Sequence, residues 1–360
     1  MLRSLWLGFW GRDGDGFDGG EGPFKLKADW ALHSEAVRRM LTFAPESRKE
    51  IPENMWKSRA LKFMHRLNAL VTTAGLDKLP LVRQLRHKGR LLLPRLLGRE
   101  GLLLAEVDGI PLYIYNSQHF SRVYFLEPFE PYTVRLFKAA IRPGATVLDI
   151  GANIGSFSLI AARQAGPQGK VFAFEPGPDN FKILKRNIRL NKCSNTVAIP
   201  KAVGDKSQVV TFSLAECPGV HSLFPPPHVP VLSTIKVDCI TVDAFLNGES
   251  VDVIKMDIEG SEPYALEGMR QTVARSKALT LFVEMNPSSL SQAGFEPETL
   301  LAKLEGLGFD VKVIDEDSGS VSKATKAFLH DARDKPPGWF ANLYCVKGGE
   351  NHAAAESAGS

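Results

Sequence analysis

The stretch VLDIGANIGSFSLIA, Val147 to Ala161, decides the fold. An apolar run ends in Asp149, a turn carrying Gly151, Asn153 and Gly155 follows, and a segment with helical spacing begins at Ser156. A strand that passes through such a turn into a helix is the opening unit of a parallel α/β sheet. Glycines in the turn permit φ > 0 and let a ligand approach the backbone closely. The turn therefore reads as the cradle of a nucleotide-like ligand.

The next landmark is Glu175, twenty residues after Gly155, in VFAFEPGPDN. A carboxylate at the end of the second strand is placed to accept hydrogen bonds from both hydroxyls of a ribose. The glycines fall as G-x-N-x-G, so Asn153 occupies the position where a dinucleotide fingerprint needs its second glycine. That glycine is the one that admits a pyrophosphate, so Asn153 disfavours NAD or FAD. No GxxxxGK[ST] occurs, which excludes a P-loop in this region. A nucleoside with a cationic amino-acid end and no phosphate fits better, and S-adenosylmethionine is such a ligand. Asp149 is suited to its ammonium group, directly or through water.

A second dense cluster, VIKMDIEGSEPYALEGM, runs from Val253 to Met269. Ligands in open α/β sheets sit outside the carboxyl ends of the strands. Asp257 stands at such an end, with Lys255 and Glu259 on the same side by the period-two rule until the chain turns at Gly260. Asp257 is read as the base that takes a proton from an acceptor hydroxyl, or as the group that orients it, with Glu259 nearby. His221, in GVHSLF, is the alternative base. Glu262 stands where the following helix begins, and Glu284 ends a further strand. No His/Cys cluster has metal-ligand spacing, and no metal is assigned; Asp257 and Glu284 are the pair that could share Mg²⁺.

Around these motifs the pattern alternates short apolar runs with helices. Strands are expected at 146–149, 170–175, 196–200, 251–257, 280–284, 309–314 and 339–346, with helices after Gly155, Asp179, Ser261 and Pro297. VVTFSLAE and STIKVDCITVDAFL are extra extended pieces around a Pro-rich loop. Upstream, GLLLAEVDGIPLYIYN predicts a β-hairpin turning at Asp108-Gly109, and EPFEPYTVRLFKAAI predicts a helix.

Residues 1–100 predict a helical, basic extension with a flexible Gly/Asp-rich linker at 11–24. Between Met55 and Arg99 eleven Lys/Arg stand against a single acid, although the whole chain carries only +4. That stretch could meet an anionic membrane surface or an acidic partner. No apolar run reaches the length of a membrane span. The four cysteines are scattered and form no CxxC, which suits reduced thiols. The chain is expected to be cytoplasmic, with peripheral membrane contact as the variant. Residues 349–360 are expected to be a disordered tail.

LDIGANIGSFSLIAA, GKVFAFEPGPDNFKILKRNIRLN, IPKAVGD, HSL, ITVDAF, VIKMDIEGSEPYALEGM and LFVEMNP stand in order between about Thr146 and Asp310. In these segments the chain resembles the FkbM family of S-adenosylmethionine-dependent methyltransferases. The resemblance implies a Rossmann-like, mostly parallel sheet closed by an antiparallel strand, within a domain spanning 146–348. It implies that Asp149, Gly151, Asn153 and Gly155 form the cofactor loop, that Glu175 binds the ribose, and that Pro176 shapes the turn after it. Ala202, Val203 and Asp205 are expected beside the adenine. The implied reaction is O-methylation of a hydroxyl on a sugar, glycolipid or polyketide-like small molecule. An RNA methyltransferase using the basic helices, or a non-catalytic S-adenosylmethionine-binding protein, are the alternatives. Nucleic acid is the less expected partner, because no RNA-binding module or aromatic platform accompanies the basic stretch.

Overall fold

A computed structural model describes residues 101–116, 130–225 and 227–348. The basic extension at 1–100, its linker at 11–24 and the tail at 349–360 lie outside the described residues. Among the described residues no helix is long and apolar enough to cross a membrane.

Strands β1 (Leu102–Val107) and β2 (Ile110–Tyr115) pair antiparallel, with Val107 opposite Ile110. Asp108 and Gly109 both take positive φ, 47° and 74°. A two-residue turn of that kind matches the twist of a hairpin, and Asp-Gly tolerates it best. Helix α1 (Pro131–Ala140) follows. Its first amides donate to a distant carboxylate: Tyr132 N and Thr133 N reach Glu316 at 2.8 and 2.9 Å. These are donors that no turn of the helix itself can satisfy.

The central unit runs β3 (Thr146–Ile150), α2 (Ser156–Ala165), β4 (Lys170–Phe174), α3 (Pro178–Leu190) and β5 (Thr196–Ile199). A three-stranded sheet follows, made of β6 (Ala202–Val203), β7 (Gln208–Ala215) and β8 (Val231–Ile240) in the order β6-β8-β7. The chain then forms α4 (Val242–Leu246), β9 (Val253–Met256), α5 (Glu262–Glu267), α6 (Arg270–Arg275), β10 (Leu279–Met285), α7 (Pro287–Gln292) and α8 (Pro297–Gly306). Last come β11 (Asp310–Asp315), β12 (Ser320–Lys323), α9 (Lys326–Arg333) and β13 (Ala341–Lys347).

The large sheet has the order β12-β11-β13-β10-β9-β3-β4-β5. Strands β5, β4, β3, β9 and β10 are parallel, and β13 is antiparallel to both β10 and β11. This is the Rossmann-like sheet with an inverted strand that the sequence implies. The expected excursion between β11 and β13 has structure of its own, since β12 extends the edge and α9 packs against α7 and α8. Every residue of β9 and β10 is buried, Lys255, Thr280 and Glu284 included, so those strands show no strict alternation of buried and exposed positions.

The lead-in shares the core of the sheet. Leu103, Leu112 and Ile114 of the hairpin pack in one cluster with Phe137 of α1, Val147, Val171, Val253 and Phe282. Phe137 meets Phe157 and Phe282 edge to face, at 5.1 and 5.4 Å between ring centres. Strand order reverses between β3 and β9, and the crevice at their carboxyl ends is where an open sheet of this kind binds its ligand.

Candidate active site

The loop after β3 is held in a shape few residues could adopt. Gly151, Asn153 and Gly155 all have positive φ, 86°, 51° and 99°. A Cβ on Gly151 would lie 1.8 Å from the Asp257 carbonyl oxygen, so the loop lies directly against the chain leaving β9. A Cβ on Gly155 would meet Leu184 of α3 at 2.7 Å. Asp149 is buried beneath the loop and accepts from Ser158 Oγ in α2. Burial pushes the Asp149 carboxyl up to about 6, against the pull of Ser158.

Glu175 follows β4 directly and is 4% exposed. Its two oxygens accept the Asn153 N–H at 2.8 Å and the Gly177 N–H at 2.7 Å, so it fixes the loop as well as facing the cleft. Burial raises its carboxyl to about 7, although both amides favour the ionised form. Asn153 Nδ2 reaches the Pro218 carbonyl at 3.5 Å, and its buried Oδ1 has no partner.

These groups line a cleft with about 620 Å³ of empty space, part of it open to solvent. Gly151, Asn153, Glu175 and Pro176 form one wall, Ala202 and Val203 another, and Asp257 and Glu259 the far end. Asp205 is not in the lining; it follows Gly204 out of β6, and its carboxylate lies 3.9 Å from Lys206 Nζ. Asp149 and Gly155 shape the loop from below without lining the cleft.

His221 lines the cleft, and its Nδ1 accepts the Ala215 N–H at 3.0 Å. Burial lowers its pKa, so the ring is neutral and carries its proton on Nε2. Held this way it offers a donor, not a free lone pair, which counts against the base role given it from sequence.

At the far end acids crowd one cation. Lys255 is 1% exposed, with Nζ 3.4 Å from Asp257 Oδ2 and 5.1 Å from the centre of the Phe157 ring. Burial acts to lower its pKa, but Asp257, Glu130, Glu284 and Asp149 around it hold it above the usual lysine range. Glu259 has φ 51° and accepts from Asn286 Nδ2 at 3.2 Å and Ser289 Oγ at 3.0 Å, both on Oε2. Burial, then the neighbouring Asp257, raises its carboxyl to about 8. Glu284 is raised well above the carboxylate range by the same causes. Glu262 is 1% exposed, and its Oε1 accepts the Ile258 N–H at 3.1 Å, which ties the start of α5 back to the turn after β9.

Residues 149–311 match the family model for the methyltransferase FkbM domain. The chain carries an FkbM methyltransferase domain. Its cofactor is S-adenosylmethionine. The chain is similar to Methyltransferase 1 of Beauveria bassiana, at 29% identity over 34% of this chain and 57% of that protein. The match thus spans under two thirds of that relative's length. It is also similar to the hexuronic acid methyltransferase AglP of Haloferax volcanii, at 28% identity over 46% of this chain and 68% of that one. A SAM-dependent O-methyltransferase structure from Thermotoga maritima aligns at 12% identity with a TM-score of 0.37, over 72% and 82% of the two chains. The fold assignment rests on the strand order, not on that overlay.

The FkbM domain fits this cofactor on its own geometry. Gly151 lets the loop pack flat against the chain leaving β9 beside the cleft, Asn153 Oδ1 is a buried acceptor awaiting a donor, and Glu175 lines the cleft with its carboxylate. Sequence reasoning passed over Asn180, which also lines the cleft. Its Nδ2 donates to the Pro218 carbonyl at 2.9 Å and its Oδ1 accepts from Tyr115 Oη at 2.8 Å. Only its place in the first turn of α3 hinted at a role. Glu130 was also passed over; it meets Asn342 Nδ2 at 3.1 Å, and burial raises its carboxyl to about 7.

Proposed function

We propose that the protein is an S-adenosylmethionine-dependent methyltransferase that methylates a hydroxyl on a sugar, glycolipid or polyketide-like molecule. One observation carries this: a single cleft is lined both by Gly151, Asn153 and Glu175 and by Asp257 and Glu259. When bound, the cofactor supplies an electrophilic methyl group on a sulfonium. In this reading Glu175 takes the ribose hydroxyls, the loop from Gly151 to Gly155 passes under the amino-acid end, and Ala202 and Val203 flank the adenine. Asp257 orients the acceptor hydroxyl in line with the methyl group and takes its proton. A cofactor held there would give up its methyl group to that oxygen and leave as a neutral thioether.

Alignment supplies much of the rate for a donor this reactive. A positioned base adds about 10²–10⁴-fold. Asp257 suits that task better than His221, whose Nδ1 is engaged by a backbone amide. A third of the Asp257 side chain is exposed, so an acceptor can reach it. The names of the relatives support methyl transfer and, through AglP, a glycan-type acceptor. The RNA alternative rested on residues 55–99, which lie outside the described residues.

Calorimetry with S-adenosylmethionine tests the central claim, and an intact protein that fails to bind it would sink the reading. With an acceptor in hand, Asp257→Asn is expected to lower kcat by about 10²-fold or more. Wild-type turnover by that variant would remove Asp257 as the base.

A further inference from the structure

We propose that Asp257, Glu259 and Glu284 form a site for one hard divalent cation, of the Mg²⁺, Mn²⁺ or Ca²⁺ class, at the acidic end of the cleft. One carboxylate oxygen from each residue can be chosen so that all lie within 4.8 Å of one another. Oxygens around such an ion, at about 2.0–2.6 Å from it, lie roughly 3–5 Å apart. The three acids come from the end of β9, the turn after it and the end of β10, so parallel neighbouring strands bring them together.

Crowded acids alone would not suffice, and two separate features point to an absent partner. Glu284 is 8% exposed and receives no hydrogen bond from the described residues, while its carboxylate faces the other two. Buried carboxylates are ordinarily satisfied by donors. Ser261 Oγ is likewise without a partner; the residue is 1% exposed and lines the same cleft as Asp257 and Glu259. An ion-bound water or acceptor oxygen in the cleft would give that hydroxyl a partner.

The surrounding chemistry suits a ligand set. Both donors to Glu259, from Asn286 and Ser289, reach Oε2, which leaves Oε1 open and the carboxylate oriented. Metal-bound carboxylates are typically steadied by such outer hydrogen bonds. Lys255 is the nearby cation, and it is shared among Asp257, Glu130, Glu284 and Asp149 rather than committed to one of them. With carboxylate ligands and no thiolate or imidazole among them, the set selects hard cations over zinc or copper. A cation here would sit beside the proposed acceptor site, where it could bind the acceptor oxygen and ease loss of its proton. That consequence rests on the methyl-transfer reading; binding of the ion does not.

The test is an electron paramagnetic resonance titration of the full chain with Mn²⁺. One Mn²⁺ per chain is expected, displaceable by Mg²⁺ or Ca²⁺. Glu284→Gln and Glu259→Gln should each weaken it by about tenfold or more, and Glu284→Gln should leave affinity for S-adenosylmethionine unchanged. Asp257→Asn, at a partly exposed position, provides a variant that does not disturb the core if the glutamine variants fail to fold. Absence of stoichiometric Mn²⁺, or binding indifferent to these substitutions, overturns the site. Loss of S-adenosylmethionine binding with Mn²⁺ binding intact would instead strike the methyl-transfer reading alone.

Discussion

Gly151 has no room for a methyl group. It combines φ of 86° with backbone 1.8 Å from where a Cβ would stand. Gly151→Ala is therefore expected to cost about 3 kcal/mol, read from urea unfolding, and to weaken cofactor binding by pushing the loop off Asp257. Glu175 is a different case, because its carboxylate serves the protein before it serves a ligand. Glu175→Ala strands the Asn153 and Gly177 amides, with an expected loss of about 2 kcal/mol. It should also weaken S-adenosylmethionine binding by about tenfold or more, since a charge-assisted hydrogen bond is removed. Calorimetry on the folded variant separates the two effects. Asn153 shows how far letters alone reach: its identity argued against a pyrophosphate, whereas its left-handed backbone and unpartnered Oδ1 are visible only in three dimensions.

At the scale of elements, α3 is the hinge pin between the lead-in hairpin and the cofactor loop. Asn187 is fully buried in it. Its Oδ1 accepts the Tyr113 N–H at 2.6 Å, and its Nδ2 donates to the Tyr113 carbonyl at 2.9 Å and the Ile154 carbonyl at 2.8 Å. One amide thus continues the edge of β2 and ties it to the loop that carries Asn153 and Gly155. Asn187→Ala leaves three backbone groups unmet, and a loss of about 2–3 kcal/mol is expected. Hydrogen exchange should rise first in Ile110–Tyr115 and Gly151–Gly155; protection unchanged there would show that apolar packing alone fixes the hairpin. The hairpin was legible in sequence because Asp108-Gly109 is a strong local turn signal. Its attachment was not, because Asn187 and Tyr113 are 74 residues apart.

Across the whole molecule, buried acids set the response to pH. Asp149 is raised to about 6, Glu130, Glu175 and Glu262 to about 7, and Glu259 to about 8, in each case first by burial. In the unfolded chain these groups ionise near pH 4–4.5. Between that pH and their folded values the folded state retains protons that the unfolded state has released. Stability then falls as pH rises. The urea midpoint of the ligand-free protein is expected to decline from about pH 4.5 to about pH 8, with little further change from these groups above that. A midpoint rising across that window would show that the carboxylates are better paired than their burial implies.

The sequence by itself determined the order of strands and helices, the glycine loop, and the acids Glu175 and Asp257 that follow β4 and β9. Each is written in a short contiguous motif whose periodicity or turn chemistry is local. It also separated this loop from a dinucleotide site, through one asparagine. Tertiary structure decided what contacts what. It put β13 between β10 and β11 and left Asp205 out of the cleft. It made His221 an acceptor of a backbone amide, and it brought Glu284 and Glu130 around Lys255. These outcomes depend on strand order and burial, and charge–charge effects between residues far apart in the chain leave no periodic trace in it.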